Sequence, residues 1–577
     1  MDKSVNSLQR YFYLIQIKNR NYSILSQDLY NRKLKCLISK DIRYFCTTIY
    51  KLSLVRMKSS DEIFQLIKSM SDKEKRFFRK KYILFISDDD NNYLKLFDEI
   101  SKQTDTNEDY DEKKVKEGSY SGKFIKNLSF HKNYLYNTLL NSLAFFNKDS
   151  KDNFTVRNMI TQAEILSDKL LYDQSLKILQ RAMKIASEKD LLNAKFEIIN
   201  AERLIGKYTN TAEEYTVNSE KFFAEQNDII ELQKNLLDYY ILNEKVGIFL
   251  RNFGSGRARD KEDLKEFDKT FENPLLKDIK NARTFFSKYI FYNLHVQYHL
   301  TKHNFEEAYE FSKSAAALWE NNLNKITGKL DNYIYSLNNL LNCQSRTLRY
   351  KDCELTVARL KDIERRFPEN ITESNKVFIF YSVSVLMLSK YISNTNTAKL
   401  ISVEDDIKSN LNKYELKITV YQRIILYYFL SCSNFIQSNF EKCLYWNNKI
   451  FNLGKTDLSE DYQCYARIIQ LISYFELGYT DSMEYALKSA YHFFTKRQRV
   501  YKYESIIQKY LRRSFRIKTD KELEDMFREM KNELNAIIND AYEKNAFDAF
   551  NLIPWLDSRI RKIPVLHVLK EKVQVEN

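Results

Sequence analysis

The chain has 577 residues and a net charge of +15, yet it contains only nine glycines and four prolines. A chain of average composition would contain about 70 glycines and prolines together. Because β-rich folds need both residues at their turns, this composition speaks against a β-rich fold and predicts an all-α protein with short polar turns. Apolar residues make up 44% of the chain, which argues against wholesale disorder.

Residues 1–56 differ in composition from the chain that follows. They hold 11 Lys and Arg residues against three Asp and no Glu, a net charge of +8. A helix start follows Met57, where Ser59-Ser60-Asp61-Glu62 has the spacing of a capping box. We interpret residues 1–56 as either a poorly packed extension or the product of a start codon placed too early. We expect no signal peptide and no membrane-spanning segment.

Residues 57–150 are predicted to form an N-terminal helical domain. A second capping box, Ser71-Asp72-Lys73-Glu74, opens one helix, and further helices are predicted from Tyr93 to Ile100 and from Phe124 to Phe146. The charged stretch Lys102–Lys123, which contains two glycines, is predicted to be a loop.

Residues 151–495 are predicted to form pairs of amphipathic helices. Around Met159, Ala163 and Leu166 one helix combines large and small residues, and a second helix follows a turn near Leu170. The second helix begins with an aromatic residue, and small and large residues follow it at helical spacing. This order recurs at Tyr172-Ser175-Leu179-Ala182, Phe305-Ala308-Ala315, Tyr350-Cys353-Leu360 and Phe440-Cys443-Ile450, with Tyr474, Gly478 and Ala490 near the end.

The recurring order resembles the tetratricopeptide (TPR) repeat, whose small residues let two helices approach closely. The resemblance implies an α-solenoid, a superhelical array of antiparallel helix pairs. Phe305, Tyr350 and Phe440 are 45 and 90 residues apart, which exceeds the period of about 34 residues in that family. The repeats are therefore degenerate, and a weaker helix pair is predicted between Val377 and Tyr414. The segment from Met57 to Ile100 resembles uncharacterised bacterial TPR-like proteins.

Two features interrupt or end the predicted array. The glycine-containing segment from Asn252 to Arg257, followed by charged residues up to Pro274, predicts a long loop. This loop either divides the array into two arms or is an insertion in one repeat. Residues 496–577 are predicted to hold a basic helix, a helix opened by Thr519-Asp520-Lys521-Glu522, and a tail from Phe547 that folds back as a cap.

Half of the six histidines, His295, His299 and His303, are four residues apart and share one face of a helix. Two histidines at this spacing can share a zinc ion, but the glutamate of the HExxH motif is missing. We favour packed or hydrogen-bonded histidines, and a metal site stays open. Five cysteines within helical patterns lack metal-type spacing and suit a reducing cytoplasm; they are Cys343, Cys353, Cys432, Cys443 and Cys464.

Residues 496–518 carry most of the remaining positive charge, with nine Lys and Arg residues and one Glu. On a helix, Tyr503, Ile507, Tyr510, Leu511 and Phe515 are predicted to fill the apolar side. Six cations share an arc of roughly 140° on the other side; they are Arg499, Lys502, Lys509, Arg512, Arg513 and Arg516. This stripe is a candidate site for a polyanion or an acidic partner. The alternative is a solvated outer face of a terminal helix.

The sequence contains no phosphate-binding loop, dinucleotide-binding motif or nucleophile elbow, and we predict no catalytic residue and no cofactor. The leading expectation is a cytoplasmic, bacterial, non-catalytic scaffold that docks a protein or peptide partner on a helical-repeat surface. The alternative is an RNA- or DNA-binding protein that uses the basic helix 496–518. The partner's identity and the oligomeric state stay open.

Overall fold

A computed structural model describes the chain over residues 59–83, 92–105, 110–116, 118, 120, 122–146, 152–252, 261–415, 417–453, 460–496, 501–540 and 543–576. Every regular element in these ranges is a helix, so the all-α prediction is confirmed for the described part of the chain. The predicted extension 1–56 and the candidate residue Arg499 lie outside the described residues. The chain falls into two compact units that divide between Phe146 and Asn147.

The described helices of the first unit surround one apolar core. They are α1 (Ser59–Ser69), α2 (Asp72–Ile83), α3 (Asn92–Asp105), α4 (Glu112–Lys116), α5 (Gly122–Lys126) and α6 (Leu128–Phe146). Phe78, Phe97 and Leu135 are buried in this core. The capping box before α2 is confirmed, because Glu74 accepts from the Ser71 backbone N–H at 2.8 Å and Ser71 Oγ accepts from the Glu74 backbone N–H at 3.4 Å.

Two predictions within this unit are wrong. The stretch Lys102–Lys123 is not one loop, because α3 continues to Asp105 and α4 forms inside it. Val115 explains α4, since its side chain is fully buried in the core and anchors the short helix. The predicted helix Phe124–Phe146 is broken at Asn127, which separates α5 from α6.

The second unit is a succession of helices in which most helices pack against a neighbour in the chain. Its first helices are α7 (Asp152–Asp168), α8 (Tyr172–Glu188), α9 (Leu192–Thr209), α10 (Ala212–Asn252), α11 (Lys261–Phe271), α12 (Phe285–Thr301), α13 (Phe305–Glu320) and α14 (Leu323–Ile326). Then follow α15 (Leu330–Arg346), α16 (Tyr350–Arg366), α17 (Glu373–Ser393), α18 (Thr397–Tyr414), α19 (Val420–Ile436), α20 (Phe440–Asn452), α21 (Glu460–Leu477) and α22 (Thr480–Lys496). The last helices are α23 (Lys502–Ser514), α24 (Asp520–Ile537), α25 (Lys544–Ala549), α26 (Ile553–Arg561) and α27 (Val565–Glu576).

One turn geometry connects seven pairs of successive helices between α7 and α22. The first helix ends at a residue with φ between 55° and 70°, and the N–H of the next residue bonds to the carbonyl oxygen five residues earlier, as Asn439 does to Asn434 at 2.9 Å. This is the Schellman ending, which turns the chain sharply and satisfies the last free carbonyls. Its left-handed residues are Leu170, Asp190, His303, Leu348, Thr395, Ser438 and Gly478.

The small residues predicted to let helices approach are buried at the seams. Ser175, Ala308 and Cys443 are fully enclosed, and Ser175 Oγ donates to the Ala163 carbonyl oxygen at 2.7 Å. The predicted pair between Val377 and Tyr414 is present as α17 and α18. The unit is therefore an array of helical hairpins whose neighbouring helices make close contact through small side chains.

The predicted long loop before Pro274 is wrong in its second half. Residues 253–260 lie outside the described residues, but the charged stretch after them forms α11. Phe267 and Phe271 hold this helix, because both rings are buried and Phe271 packs on Tyr298 with ring centroids 4.2 Å apart. Pro274 begins a single 3₁₀ turn.

Helix α17 is the one helix in the described ranges that is long and apolar enough, by length and composition, to cross a membrane. It packs between α15 and α19. Near its end Lys390 is buried and pairs with Glu354 at 2.9 Å. Buried core helices meet the same criteria, so this is weak support for a membrane span.

The tail after Phe547 folds back onto the array, and its role as a cap stays a prediction. Trp555 is buried, and its indole Nε1 donates to Glu476 Oε1 on α21 at 2.6 Å. Arg559, one turn further along α26, donates from Nε to the same carboxylate. The capping box that opens α24 is also confirmed, with Thr519 and Glu522 satisfying each other's backbone N–H groups.

Candidate functional site

Helix α19 carries an aromatic stripe that already holds a segment of the chain. Tyr421, Tyr428 and Phe435 are seven residues apart and therefore share one helix face. The Tyr428 hydroxyl donates to the carbonyl oxygen of Ala549 at 2.8 Å. The Phe435 ring meets the ring of Phe550 edge-on, with centroids 5.3 Å apart.

A second tyrosine holds the same segment from α23. The Tyr503 hydroxyl donates to the carbonyl oxygen of Phe550, and its ring packs edge-on against Phe547 at 4.8 Å. Two consecutive carbonyl oxygens, those of Ala549 and Phe550, are thus bound by phenol hydroxyls. The array therefore holds this segment both through its backbone oxygens and through the buried rings of Phe547 and Phe550.

A groove of about 630 Å³ opens at the N-terminal ends of α15, α17 and α19. Its α19 residue Gln422 lies six residues before Tyr428, about 9 Å along the helix axis. The groove is lined by Asp331, Asn332, Ile334, Tyr335, Glu373, Ser374, Asn375, Val377, Phe378, Lys417, Thr419 and Gln422. The folded-back segment therefore covers the later part of α19 and leaves its beginning open.

Helix caps fix the polar rim of the groove. Thr372 and Asn375 form a capping box at the start of α17, and Thr419 and Gln422 form one at the start of α19. Asn375 also donates from Nδ2 to Asp331 at the start of α15. These bonds tie α17 to α15, so the groove is a pre-formed feature rather than a flexible surface.

The groove combines an apolar floor with a charged edge. Lys417 Nζ lies 3.1 Å from Glu373 Oε2, and the hydrogen bond from Lys417 lowers the pKa of Glu373 below its ordinary value. Tyr335 is 39% exposed, and its Oη accepts a hydrogen bond from Gln297 Nε2 at 3.2 Å. Burial of the Tyr335 hydroxyl raises its pKa, and the side chain of Asn339 also hydrogen-bonds to it, so the phenol stays neutral at this edge of the groove.

The predicted cationic stripe is partly neutralised by the next helix. Lys509 Nζ lies 2.6 Å from Glu533 Oε1, and Arg513 pairs with Glu529. The hydrogen bond from Lys509 lowers the pKa of Glu533. The structure therefore brings two of the candidate cations together with carboxylates of α24.

The remaining described cations of the stripe lack a carboxylate partner in the described ranges. Arg512 lies over the ring of Tyr491, 4.6 Å from its centroid, while Lys502 and Arg516 form no ion pair there. Fewer cations of the stripe are thus free to bind an outside ligand than the sequence predicts.

The apolar side of this helix is largely as predicted. Tyr503, Ile507, Tyr510 and Leu511 are buried. The prediction for Phe515 is wrong, because α23 ends at Ser514 and the Phe515 side chain is exposed.

The three histidines of α12 lie among aromatic rings. His295 Nε2 donates to the Leu276 carbonyl oxygen at 3.0 Å, and its ring stacks on Phe311 with centroids 4.4 Å apart. Burial lowers the pKa of His295 to about 4 and also lowers the pKa of His299. His303 occupies a left-handed turn position. No group of three metal-ligating side chains occurs within the described ranges.

A buried carboxylate that the sequence analysis missed lies between α18 and α19. Glu404 is 4% exposed, and its Oε1 accepts from Ser433 Oγ at 2.6 Å and from Asn434 Nδ2 at 3.3 Å. Its other oxygen lies 3.6 Å from Lys408 Nζ. The bonds from Ser433 and Asn434 join α19 to α18, so this cluster fixes the packing of the two helices. The run of Ser and Asn in an otherwise apolar α19 is the signal that could have revealed it.

The fold and these surfaces define an all-α array of helical hairpins. The chain's own C-terminal segment covers part of one face of this array. Comparison of the chain with protein-family models, curated proteins and solved structures finds no match. The assignment of a function therefore depends on the geometry of the chain itself.

Proposed function

We propose that the protein is a non-catalytic, TPR-like scaffold that docks a peptide segment of a protein partner in the groove at the starts of α15, α17 and α19. The observation that carries this proposal is the segment around Ala549 and Phe550, which the same array already holds by tyrosine hydroxyls and ring contacts. A surface that binds a chain segment in cis has the chemistry to bind one in trans.

The groove offers the same means of binding. Tyr335 lines it with a phenol ring and hydroxyl, the groups by which Tyr428 and Tyr503 hold the folded-back segment. Ile334, Val377 and Phe378 provide an apolar floor for one large side chain of the partner. The capped helix ends keep the groove in its binding shape, which reduces the entropy lost on binding.

The cytoplasm is the compartment we propose for this activity. The five described cysteines are free and buried, and burial raises the pKa of the Cys343 and Cys353 thiols to about 11. Thiols of this kind resist oxidation because little thiolate is present, and free thiols are usual in a reducing compartment.

The proposal is tested by identifying partners and then measuring how a substitution in the groove changes their affinity. Affinity purification from the native cell with cross-linking mass spectrometry would identify the bound segment, with and without nuclease treatment. The affinity of a synthetic peptide of that segment would then be measured for the wild type and for Tyr335→Glu. We expect at least a tenfold loss, because a carboxylate repels backbone carbonyls and disrupts the apolar floor.

Tyr485→Glu is the matched control, since Tyr485 is 77% exposed on α22 and does not line the groove. Its affinity should equal that of the wild type. Equal affinity of Tyr335→Glu and Tyr485→Glu for every identified segment would refute docking in the groove. Cross-links confined to nucleic-acid-dependent partners would favour the alternative function instead.

Nucleic-acid binding through the basic helix is the alternative, and the geometry favours it less. Lys509 and Arg513 already form ion pairs with Glu533 and Glu529. Among the described residues of the candidate stripe, the cations without an ion pair are Lys502, Arg512 and Arg516. Phosphate-driven affinity depends on the number of phosphates neutralised, so these three cations support only weak binding.

A further inference from the structure

Helix α10 displays a long apolar stripe to solvent. Ile230, Leu237, Ile241 and Ile248 are 45%, 57%, 46% and 50% exposed. At 100° per residue these four side chains fall within an arc of about 40°. Leu242 and Val246, on the other side of the same helix, are buried against the array.

The spacing of this stripe has an internal two-fold symmetry. Phe223, 52% exposed and seven positions before Ile230, continues the stripe towards the start of the helix, but Arg203 lies over its ring, 5.2 Å from the centroid. From Ile230 to Ile248 the residues are separated by seven, four and seven positions, so this part of the pattern reads the same in both directions about residue 239. If two copies of α10 pair antiparallel about that point, Ile230 meets Ile248 of the other copy and Leu237 meets Ile241. An interface that relates identical surfaces by a two-fold axis needs this self-complementarity.

The charged residues within the stripe obey the same symmetry. Lys234 and Glu244 occupy the seam positions between the apolar residues in a heptad reading. They lie five positions before and five positions after residue 239, so antiparallel pairing places Lys234 of each copy opposite Glu244 of the other. Neither side chain forms an ion pair within the described part of the chain. A parallel pairing would place Lys234 against Lys234 and Glu244 against Glu244, which is unfavourable.

We propose that a second copy of this chain covers the stripe, and that the two α10 helices form a short antiparallel coiled coil. The seam from Ile230 to Ile248 is about 27 Å long at 1.5 Å per residue. It consists of four apolar layers and two Lys–Glu layers. The contact buries on the order of 1,000 Å², at the lower limit for a specific interface, an area typical of weak and transient association. This inference is independent of the proposed partner groove.

Sedimentation velocity of the full chain from about 1 to 100 μM would measure the dimer. We expect the wild type to dimerise within that range, and Leu237→Glu to weaken the dimer at least tenfold. Val217→Glu is the matched control, because Val217 is 68% exposed on the same helix but lies outside the stripe. Circular dichroism verifies that each variant retains the helical content of the wild type.

A charge swap distinguishes the specific antiparallel interface from nonspecific hydrophobic association of the chains. Lys234→Glu places glutamates opposite each other and should weaken the dimer severalfold. Adding Glu244→Lys reverses both charges and should restore the wild-type dissociation constant. A mixture of Leu237→Cys and Ile241→Cys chains should form a mixed disulfide dimer under oxidation, whereas parallel pairing would favour homotypic cross-links.

A chain that stays monomeric to 100 μM overturns the proposal. So does a dimer that Leu237→Glu leaves intact, because its interface would lie elsewhere. If adding Glu244→Lys to the Lys234→Glu variant fails to restore the dimer, the antiparallel register is overturned. This result holds even if Leu237→Glu fails to fold.

Discussion

Tyr428 and Ala549 are 121 positions apart in the chain, yet the tyrosine hydroxyl donates a 2.8 Å hydrogen bond to the alanine carbonyl oxygen. This bond fastens the folded-back segment to the middle of α19. The adjacent carbonyl of Phe550 is bound by Tyr503. The C-terminal segment is therefore part of the array's own packing, and the face it covers is unavailable to an outside partner.

Tyr428→Phe should loosen this segment without disturbing the ring packing. The substitution leaves the Ala549 carbonyl without its donor in a buried place, which costs about 1–2 kcal/mol in the free energy of unfolding. Urea unfolding followed by circular dichroism measures the change. Tyr485→Phe, at an exposed site, is the control and should have no effect. An unchanged stability of Tyr428→Phe would mean that the hydroxyl finds an equally good acceptor elsewhere.

The left-handed turn residues predict stabilising substitutions. Leu170 and Leu348 are 72% and 58% exposed and have φ of 62° and 58°, which L-residues adopt with strain. Replacing either leucine by glycine should raise the free energy of unfolding by about 0.5–1 kcal/mol. Thermal and urea unfolding of each single variant measure the gain.

Gly478 provides the reciprocal experiment at the same kind of turn. It has φ of 70°, and a Cβ at this position would meet no atom within 4 Å, so Gly478→Ala introduces backbone strain alone. We expect it to lower the free energy of unfolding by about 1 kcal/mol. Opposite signs for Leu348→Gly and Gly478→Ala would establish that the turn conformation is the cause. Equal signs would contradict it.

The sequence predicts the structural features that depend on residues close together in the chain. The capping boxes at Ser71 and Thr519 are present, because their bonds join residues three positions apart. The buried side of α23 also follows from helical periodicity. The ion pairs of Lys509 and Arg513 could not be predicted, because they depend on how α24 lies beside α23. The groove is likewise a product of tertiary packing, since three distant helix starts form it.

Because carboxylates of α24 pair with two cations of the basic stripe, we expect the stripe to bind nucleic acid only weakly. Reversing Arg512 and Arg516 to glutamate removes two cations without breaking any ion pair of the described residues. We expect the retention of RNA and DNA at physiological salt to stay at the background level in the wild type and in this double variant. Filter binding at several salt concentrations measures it. Tight wild-type binding that falls steeply with salt and is lost in the variant would restore the alternative function.

His295 predicts a loss of stability in mild acid. Burial lowers its pKa from 6.5 to about 4, so the folded protein holds the neutral ring and the unfolded chain binds the proton more readily. The stabilising contribution is complete above pH 6.5 and is lost as the pH falls towards 4, and the loss is at most about 3 kcal/mol over that window. His299 acts in the same direction because burial also lowers its pKa. Urea unfolding at half-unit steps of pH measures the slope.

His295→Gln isolates the contribution of this ring. Glutamine can still donate an N–H to the Leu276 carbonyl oxygen but does not titrate, so the variant should lose stability in acid less steeply than the wild type, with the residual slope due in part to His299. His492→Gln is the control, since His492 is exposed on α22 and the slope should not change. If His295→Gln and the wild type lose stability equally between pH 6.5 and 4, then His295 takes up its proton equally in the folded and unfolded states and does not contribute to the acid sensitivity.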